Sequence, residues 1–202
     1  MSVKKHSFVA VALLVSLVVG GAIAGAALIA RATGTVNVTA TVAQSVTCSV
    51  GAASTSFGTL TTSAVATASP NVTSTVACND GLGCTLYVQD AGNGTSTAGL
   101  YNSSSSPYLI PSSAATLAAG TEGYGIQGSV TTPATGGALT IGGTYTGTGN
   151  TVGALSRTNV ALASASTPTT GGVVTVAHLA AISNLTTAGN YADTITYSCT
   201  GN

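Results

Sequence analysis

Charge is what this 202-residue sequence most lacks: only 4% of its residues are Asp, Glu, Lys or Arg, against roughly a quarter in an average soluble domain. Lys4, Lys5 and Arg31 all fall at the start, so Arg157 is the only strong cation of the remainder. Facing it are Asp80, Asp90, Glu122 and Asp193, a net charge of −3 after residue 31. Binding nucleic acid requires a basic face to neutralise phosphates, and one arginine cannot build it. The same scarcity leaves little for acid–base chemistry, and no enzyme is expected. Tryptophan is absent and only Phe57 remains after the first residues, so tyrosine must fill the aromatic places of a core. No segment after residue 32 carries a helical period.

What is present begins with a leader. Residues 1–32 read MSVKKHSFVAVALLVSLVVGGAIAGAALIARA. Lys4 and Lys5 form a positive n-region, and Phe8 to Ala30 are apolar apart from Ser16. Ala30-Arg31-Ala32 places small residues at a cleavage position. The pattern predicts export. A secretory apolar region runs about 7–15 residues and about 20 span a bilayer. The run of 23 residues here therefore suits a signal peptide or an uncleaved anchor helix, with membrane contact only through residues 8–30.

Four cysteines follow: Cys48, Cys78, Cys84 and Cys199. An even number in an exported chain predicts two disulfides, with three possible connectivities. Zinc is the rival reading, but CNDGLGC puts five residues between its cysteines, wider than the usual two to four.

Most of the chain alternates with a period of two, the mark of strands with one buried face. In 34–50, Val36, Val38, Ala40, Val42, Val46, Cys48 and Val50 share a face, interrupted by Gln44. That is one long strand or two hinged near Gln44. NVTSTVAC (71–78) sets Val72, Val76 and Cys78 in phase, and CTLYVQD opens with Cys84, Leu86 and Val88 on one side. TEGYGIQGSV (121–130) is strand-like, as is TGGVVTVAHLAAIS (170–183), with Val174, Val176, His178, Ala180 and Ile182 inward. YADTITYSC (191–199) alternates to its last cysteine. The stretch 101–113 reads as a polar loop around a short apolar run, and 131–150 as a long hairpin or loose loop. Short strands with turn signals between them predict an all-β sandwich or barrel. Thr on the outward faces suits a pleated surface.

Candidate chemistry is thin. His178, the one histidine after the leader, has no G-x-S-x-G partner and reads as a sheet-face residue. Asp80 and Asp90 lie in Gly/Asn-rich stretches that do not complete a calcium loop, so both read as turn residues. Asp193 is explained by a hydrogen bond to nearby backbone. Sequons start at Asn37, Asn71, Asn93, Asn102 and Asn184. No residue is assigned to catalysis, a metal or a cofactor.

Taken in order, TGTVNVTATVAQSVTCSV, FGTL, NVTSTVAC, TLYVQDAGNG and AGNYADTITYS resemble the spore coat protein U domain, found in pilin subunits of the archaic chaperone–usher type. The likeness covers both ends of the chain after the leader, about half its length, and not 95–170. It departs from the family in the extra cysteines Cys84 and Cys199 and in the long leader. The resemblance implies an immunoglobulin-like β-sandwich left incomplete and filled by a strand from the next subunit. The domains would then be a signal peptide or anchor at 1–32, a donor strand at 33–43 and the sandwich at 44–202. Val36, Val38, Ala40 and Val42 would be the donor's inserting side chains. The partners would be further copies of the chain and an assembly chaperone. The expected function is an exported structural subunit of a pilus or surface fibre. The alternative is a membrane-anchored or secreted monomeric β-sandwich with a binding or adhesion role. Alternation alone does not say whose sheet the segment completes.

The resemblance also implies that Cys48 pairs with Cys78. In an immunoglobulin-like sandwich the third and sixth strands are antiparallel neighbours, which brings Cys84 to Cys199. The competing scheme joins Cys78 to Cys84 across NDGLG and Cys48 to Cys199. Under either scheme, native protein should show no free thiol by mass spectrometry without reduction. Two or more free thiols would refute export into an oxidising compartment.

Overall fold

β-Branched and small residues at alternating positions leave most of this chain one way to satisfy its backbone, by pairing strands. The computed structural model describes residues 33–92, 96–104 and 106–202; the expected leader helix and Asn93 lie outside them. The chain divides into two units, Met1–Thr41 and Val42–Asn202. Of the first, residues 33–41 carry no regular secondary structure and are exposed.

The second unit is all-β. Its strands are β1 (Val46–Val50), β2 (Ala66–Thr67), β3 (Val72–Cys78), β4 (Cys84–Asp90), β5 (Gly99–Asn102), β6 (Tyr108–Pro111) and β7 (Ala115–Thr116). Then come β8 (Gly123–Thr132), β9 (Thr135–Gly136), β10 (Thr140–Ile141), β11 (Thr151–Val152), β12 (Val160–Ala165), β13 (Thr169–Ala181) and β14 (Ile195–Gly201). One 3-10 turn at Gly143–Tyr145 is the only helical element among the described residues.

Every ladder between these strands is antiparallel. The larger sheet is built on β13, which pairs β3 and β2 along one edge and β9 and β8 along the other, with β1 outside β3. The second sheet runs β10-β12-β4-β14. Two small pairs, β5 with β6 and β7 with β11, complete the unit. The inward rows of both main sheets meet in one core. Val72, Val76, Ile126, Val174 and Val176 come from the first, and Leu86, Val88 and Leu162 from the second. Leu86 and Leu162 are fully buried, and burial of such a side chain stabilises by about 1.5–3 kcal/mol. On the opposite face of β13, Leu179 and Ala181 pack with Leu117 and Val152 in a second, smaller cluster.

Between β3 and β4 the chain crosses from one sheet to the other through Asn79–Gly83. Asp80 makes the turn: its Oδ1 accepts the Leu82 N–H at 2.9 Å and its carbonyl the Gly83 N–H at 2.9 Å. Gly83 has φ +83°, a left-handed conformation that suits glycine, and a Cβ there would strike the Ala165 carbonyl. Asn202 closes the same end: its side chain donates to the carbonyls of Leu82 and Ala165 and accepts from the Thr85 hydroxyl at 2.8 Å.

The disulfides correct the pairing that the family resemblance implies. They join Cys48 to Cys199 and Cys78 to Cys84, with Cα–Cα distances of 5.9 and 6.3 Å. Register is the reason. Cys48 sits opposite Val76 rather than Cys78, and Cys199 sits opposite Leu86 while Cys84 faces Gly201. Each implied pair is therefore a diagonal across a ladder, about 7–8 Å between Cα atoms, beyond ordinary disulfide reach. Both actual bridges instead run from one main sheet to the other. The sequence expectations for 101–113 and 131–150 also change. The first contains the β5–β6 hairpin, and the second is broken into β9, β10 and the 3-10 turn.

Cleavage on the N-terminal side of aspartate checks the connectivity, because Asp80 separates Cys78 from Cys84 and Asp193 precedes Cys199. Without reduction, the fragment holding Cys48 and Cys78 should carry both the 80–89 fragment and the fragment starting at Asp193. Recovery of the last two joined only to each other would restore the Cys84–Cys199 scheme.

Candidate functional site

The edges of the two main sheets define a seam. Among the described residues, β1 has a strand neighbour on one side only, and so does β14. A strand with one neighbour keeps an unused row of backbone donors and acceptors. Val46 and Cys48 of β1 and Ile195, Tyr197 and Cys199 of β14 pack against the core but stay only partly buried. Val50 is 47% exposed. The Cys48–Cys199 bridge holds the two edges together at the end nearest the Asn79–Gly83 turn.

Just ahead of β1 the chain is fastened. The Asn79 side chain donates to the Ala43 carbonyl at 2.8 Å and accepts the Ser45 N–H at 2.7 Å. Gln44 donates to the Asp80 carboxylate. The break in the apolar row at Gln44 is thus an anchoring point. The candidate donor residues Val36, Val38, Ala40 and Val42 are exposed, the three valines at 84–89%, and none lies in a strand. Alternation by itself does not make a strand without a ladder partner.

At the far end the seam gives way to a cavity of about 850 Å³ between residues 55–62 and 182–193. β8 and β13 supply its floor through Tyr124 and His178, whose rings stack with centroids 6.4 Å apart. Phe57 meets the Tyr124 ring edge-on at 6.1 Å. Phe57, Leu60, Leu100 and Ile182 add apolar surface, and Thr55, Asn184 and Asn190 add polar groups. Glu122 steadies one wall, accepting hydrogen bonds from Tyr108, Ser183 and Thr186.

Thr55, His178 and Asp193 line this cavity; Thr55 Oγ1 and His178 Nδ1 are buried behind its surface without a hydrogen-bond partner, while the Asp193 carboxyl is close enough to Tyr124 and Asp90 to interact with both. The expected bond from Asp193 to nearby backbone exists: its Oδ1 accepts the Thr194 N–H at 2.7 Å. Its approach to Tyr124 and Asp90 was not foreseeable from spacing. Burial raises the Asp193 carboxyl to about 7, helped by the Asp90 charge. Burial also lowers His178 to about 4, so the imidazole is neutral at physiological pH. The Tyr197 hydroxyl is pushed up by burial and by Asp193.

Asp90, read as a turn residue, is a fully buried ionic anchor at the end of β4. Arg157 Nη1 donates to its Oδ1 at 3.0 Å and to its carbonyl at 2.7 Å, and the Gly99 N–H reaches Oδ2 at 2.7 Å. Of the sequons, Asn37, Asn71 and Asn184 are exposed, while Asn102 is buried and its Oδ1 caps the Ser104 N–H. Among the described residues no group of three His, Cys, Asp or Glu side chains could hold a metal ion. No family model, curated protein or solved structure matches the chain.

Asp193 and His178 give stability opposite pH slopes. The folded carboxyl holds its proton up to about 7 against 3.8 unfolded. Its contribution is present at the acid side and lost as pH rises between those values. The folded imidazole loses its proton at about 4 against 6.5 unfolded, so its contribution is lost as pH falls through that window. Urea unfolding of Asp193→Asn should show a gain over wild type that grows from about pH 4 to about pH 7. His178→Gln should gain in the opposite direction. A difference independent of pH for either variant would refute its assigned titration.

Proposed function

We propose that the chain is an exported structural subunit of a pilus or surface fibre, assembled by donor-strand exchange. The carrying observation is a pair of complementary incomplete features. Among the described residues, two facing sheets end in unpaired edges, β1 and β14, over a partly exposed apolar row. Residues 34–42 are an exposed alternating segment outside any strand. A strand from another copy, laid against such an edge, gains backbone hydrogen bonds and places alternate side chains on the exposed row. Val36, Val38, Ala40 and Val42 are of the right period and polarity. The clamp on Ala43, Gln44 and Ser45 separates the donor from the subunit's own β1. In this reading the two sheets are an incomplete immunoglobulin-like sandwich, as the spore coat protein U resemblance implies. Residues 1–32 serve export as a signal peptide or anchor. Two disulfides belong to an oxidising compartment, which supports a place outside the cytoplasm. A near-absence of surface charge also removes repulsion between copies.

Replacing Val38 and Val42 by Asp tests it. Two carboxylates would have to be buried unpaired at the receiving edge, at a cost of roughly several kcal/mol. The variant should give monomers by size-exclusion chromatography and no filaments by negative-stain microscopy, while the disulfide-bonded domain keeps its fold. Normal filaments from the variant, or a wild type that never leaves the monomer, would refute the reading.

A further inference from the structure

We propose that the carboxyl of Asp193 is a proton-operated latch: with its proton it holds residues 187–194 against β4 and β5, and without it that segment, one wall of the cavity, opens. This goes beyond strand exchange and does not rest on it. The chain between β13 and β14 carries no regular strand. Its first part is tied to Glu122, just ahead of β8, which accepts hydrogen bonds from Ser183 and Thr186. Its last part is held elsewhere. Tyr101 of β5 and Ala192 exchange two backbone bonds, at 2.9 and 3.0 Å, and the Ala91 N–H, just past β4, donates to the Thr194 carbonyl at 2.7 Å. Asp193 lies between these two attachments. Its carboxyl is within hydrogen-bonding reach of Asp90, at the end of β4, and of the Tyr124 hydroxyl on β8.

The surroundings decide which form closes the segment. Asp193 Oδ2 is closed to solvent, and no N–H donates to it. An ionised oxygen there has neither water nor a cation, which is expensive. Asp90 is differently placed: Arg157 holds its Oδ1 and the Gly99 N–H its Oδ2, so Asp90 is the carboxylate of the two. A protonated Asp193 can donate to it, whereas an ionised one repels it. The Tyr124 hydroxyl and the Thr194 N–H favour ionisation, but burial and Asp90 outweigh them, and the carboxyl titrates at about 7 against 3.8 for a free one. Tyr124, Tyr191 and Tyr197, the tyrosines around it, are all raised and stay neutral. His178, on β13 behind the cavity, is neutral above about 4. The proton's contribution to closure is thus complete below 3.8, is lost as pH rises to about 7, and changes little beyond.

Hydrogen exchange of the full-length, disulfide-bonded protein tests this. The reporters are the amides of Ala91, Tyr101 and Ala192. Amides of β13, flanked by ladders on both sides, are the reference. We expect the reporters' protection, corrected for intrinsic exchange, to fall by at least about tenfold from pH 5 to pH 8. Low urea should not change it, because the opening is local. In Asp193→Asn, whose amide cannot ionise, the fall should vanish, and any His178 contribution is common to both proteins and cancels. Tyr124→Phe, which removes a hydroxyl favouring the ionised form, should move the fall to higher pH. The proposal is overturned if the reporters keep their protection across this range, or if Asp193→Asn loses it as wild type does. Exchange of the reporters only together with β13, with the full urea dependence of global unfolding, also overturns it. If Asp193→Asn does not fold, an unchanged midpoint in Tyr124→Phe does the same.

Discussion

Cys48 and Cys199 join the two sheets at the edges where, among the described residues, neither has another strand. The bridge closes a loop of 151 residues in sequence separation, so in the chain-entropy account it stabilises by about 5 kcal/mol. Cys78–Cys84 closes only 6, and the same account gives about 2 kcal/mol. Their placement matters more than the sum. Both lie near the end where the chain turns at Asn79–Gly83, so the sheets are fixed together there. At the other end the cavity lies between residues 55–62 and 182–193, over Tyr124 and His178 of the larger sheet.

Much of the fold was legible wherever alternation was long enough. Val72, Val76 and Cys78 are buried in phase, as are Cys84, Leu86 and Val88, and Val174, Val176, His178 and Ala180. VALASA, which forms β12, went unread because a register shift between Ala161 and Ala163 breaks its period. β5 and β6 are four residues each, too short for a period to show. Residues 34–43 illustrate the opposite failure: a clear alternation with no ladder to join. The disulfide pairing turned on a two-residue offset in register that composition cannot display. The cavity was hidden for a similar reason. Thr55, His178 and Asp193 lie on separate segments of the chain, and only the folded ladders bring them to one cavity.

Scarce charge is concentrated where it does most. After the leader there is one arginine, and it binds the one carboxylate that is completely buried. Arg157 and Asp90 tie the end of β4 to the loop before β12, with the Gly99 N–H completing the set. Breaking such a pair is costly because the remaining charge stays in the interior. Asp90 also acts beyond its own bond, since its charge helps to keep a proton on Asp193 across the cavity wall.

The clamp at Ala43–Ser45 and the bridge at Cys48 have a mechanical meaning. Tension applied to the segment ahead of β1 must first strip the Asn79 and Asp80 contacts and then peels β1 from β3. It meets a covalent stop at Cys48 after very few residues. From there the load passes through sulfur directly into β14, at the opposite sheet. The domain can therefore lengthen by only a few residues at β1 before the pull is shared by the β14–β4 ladder.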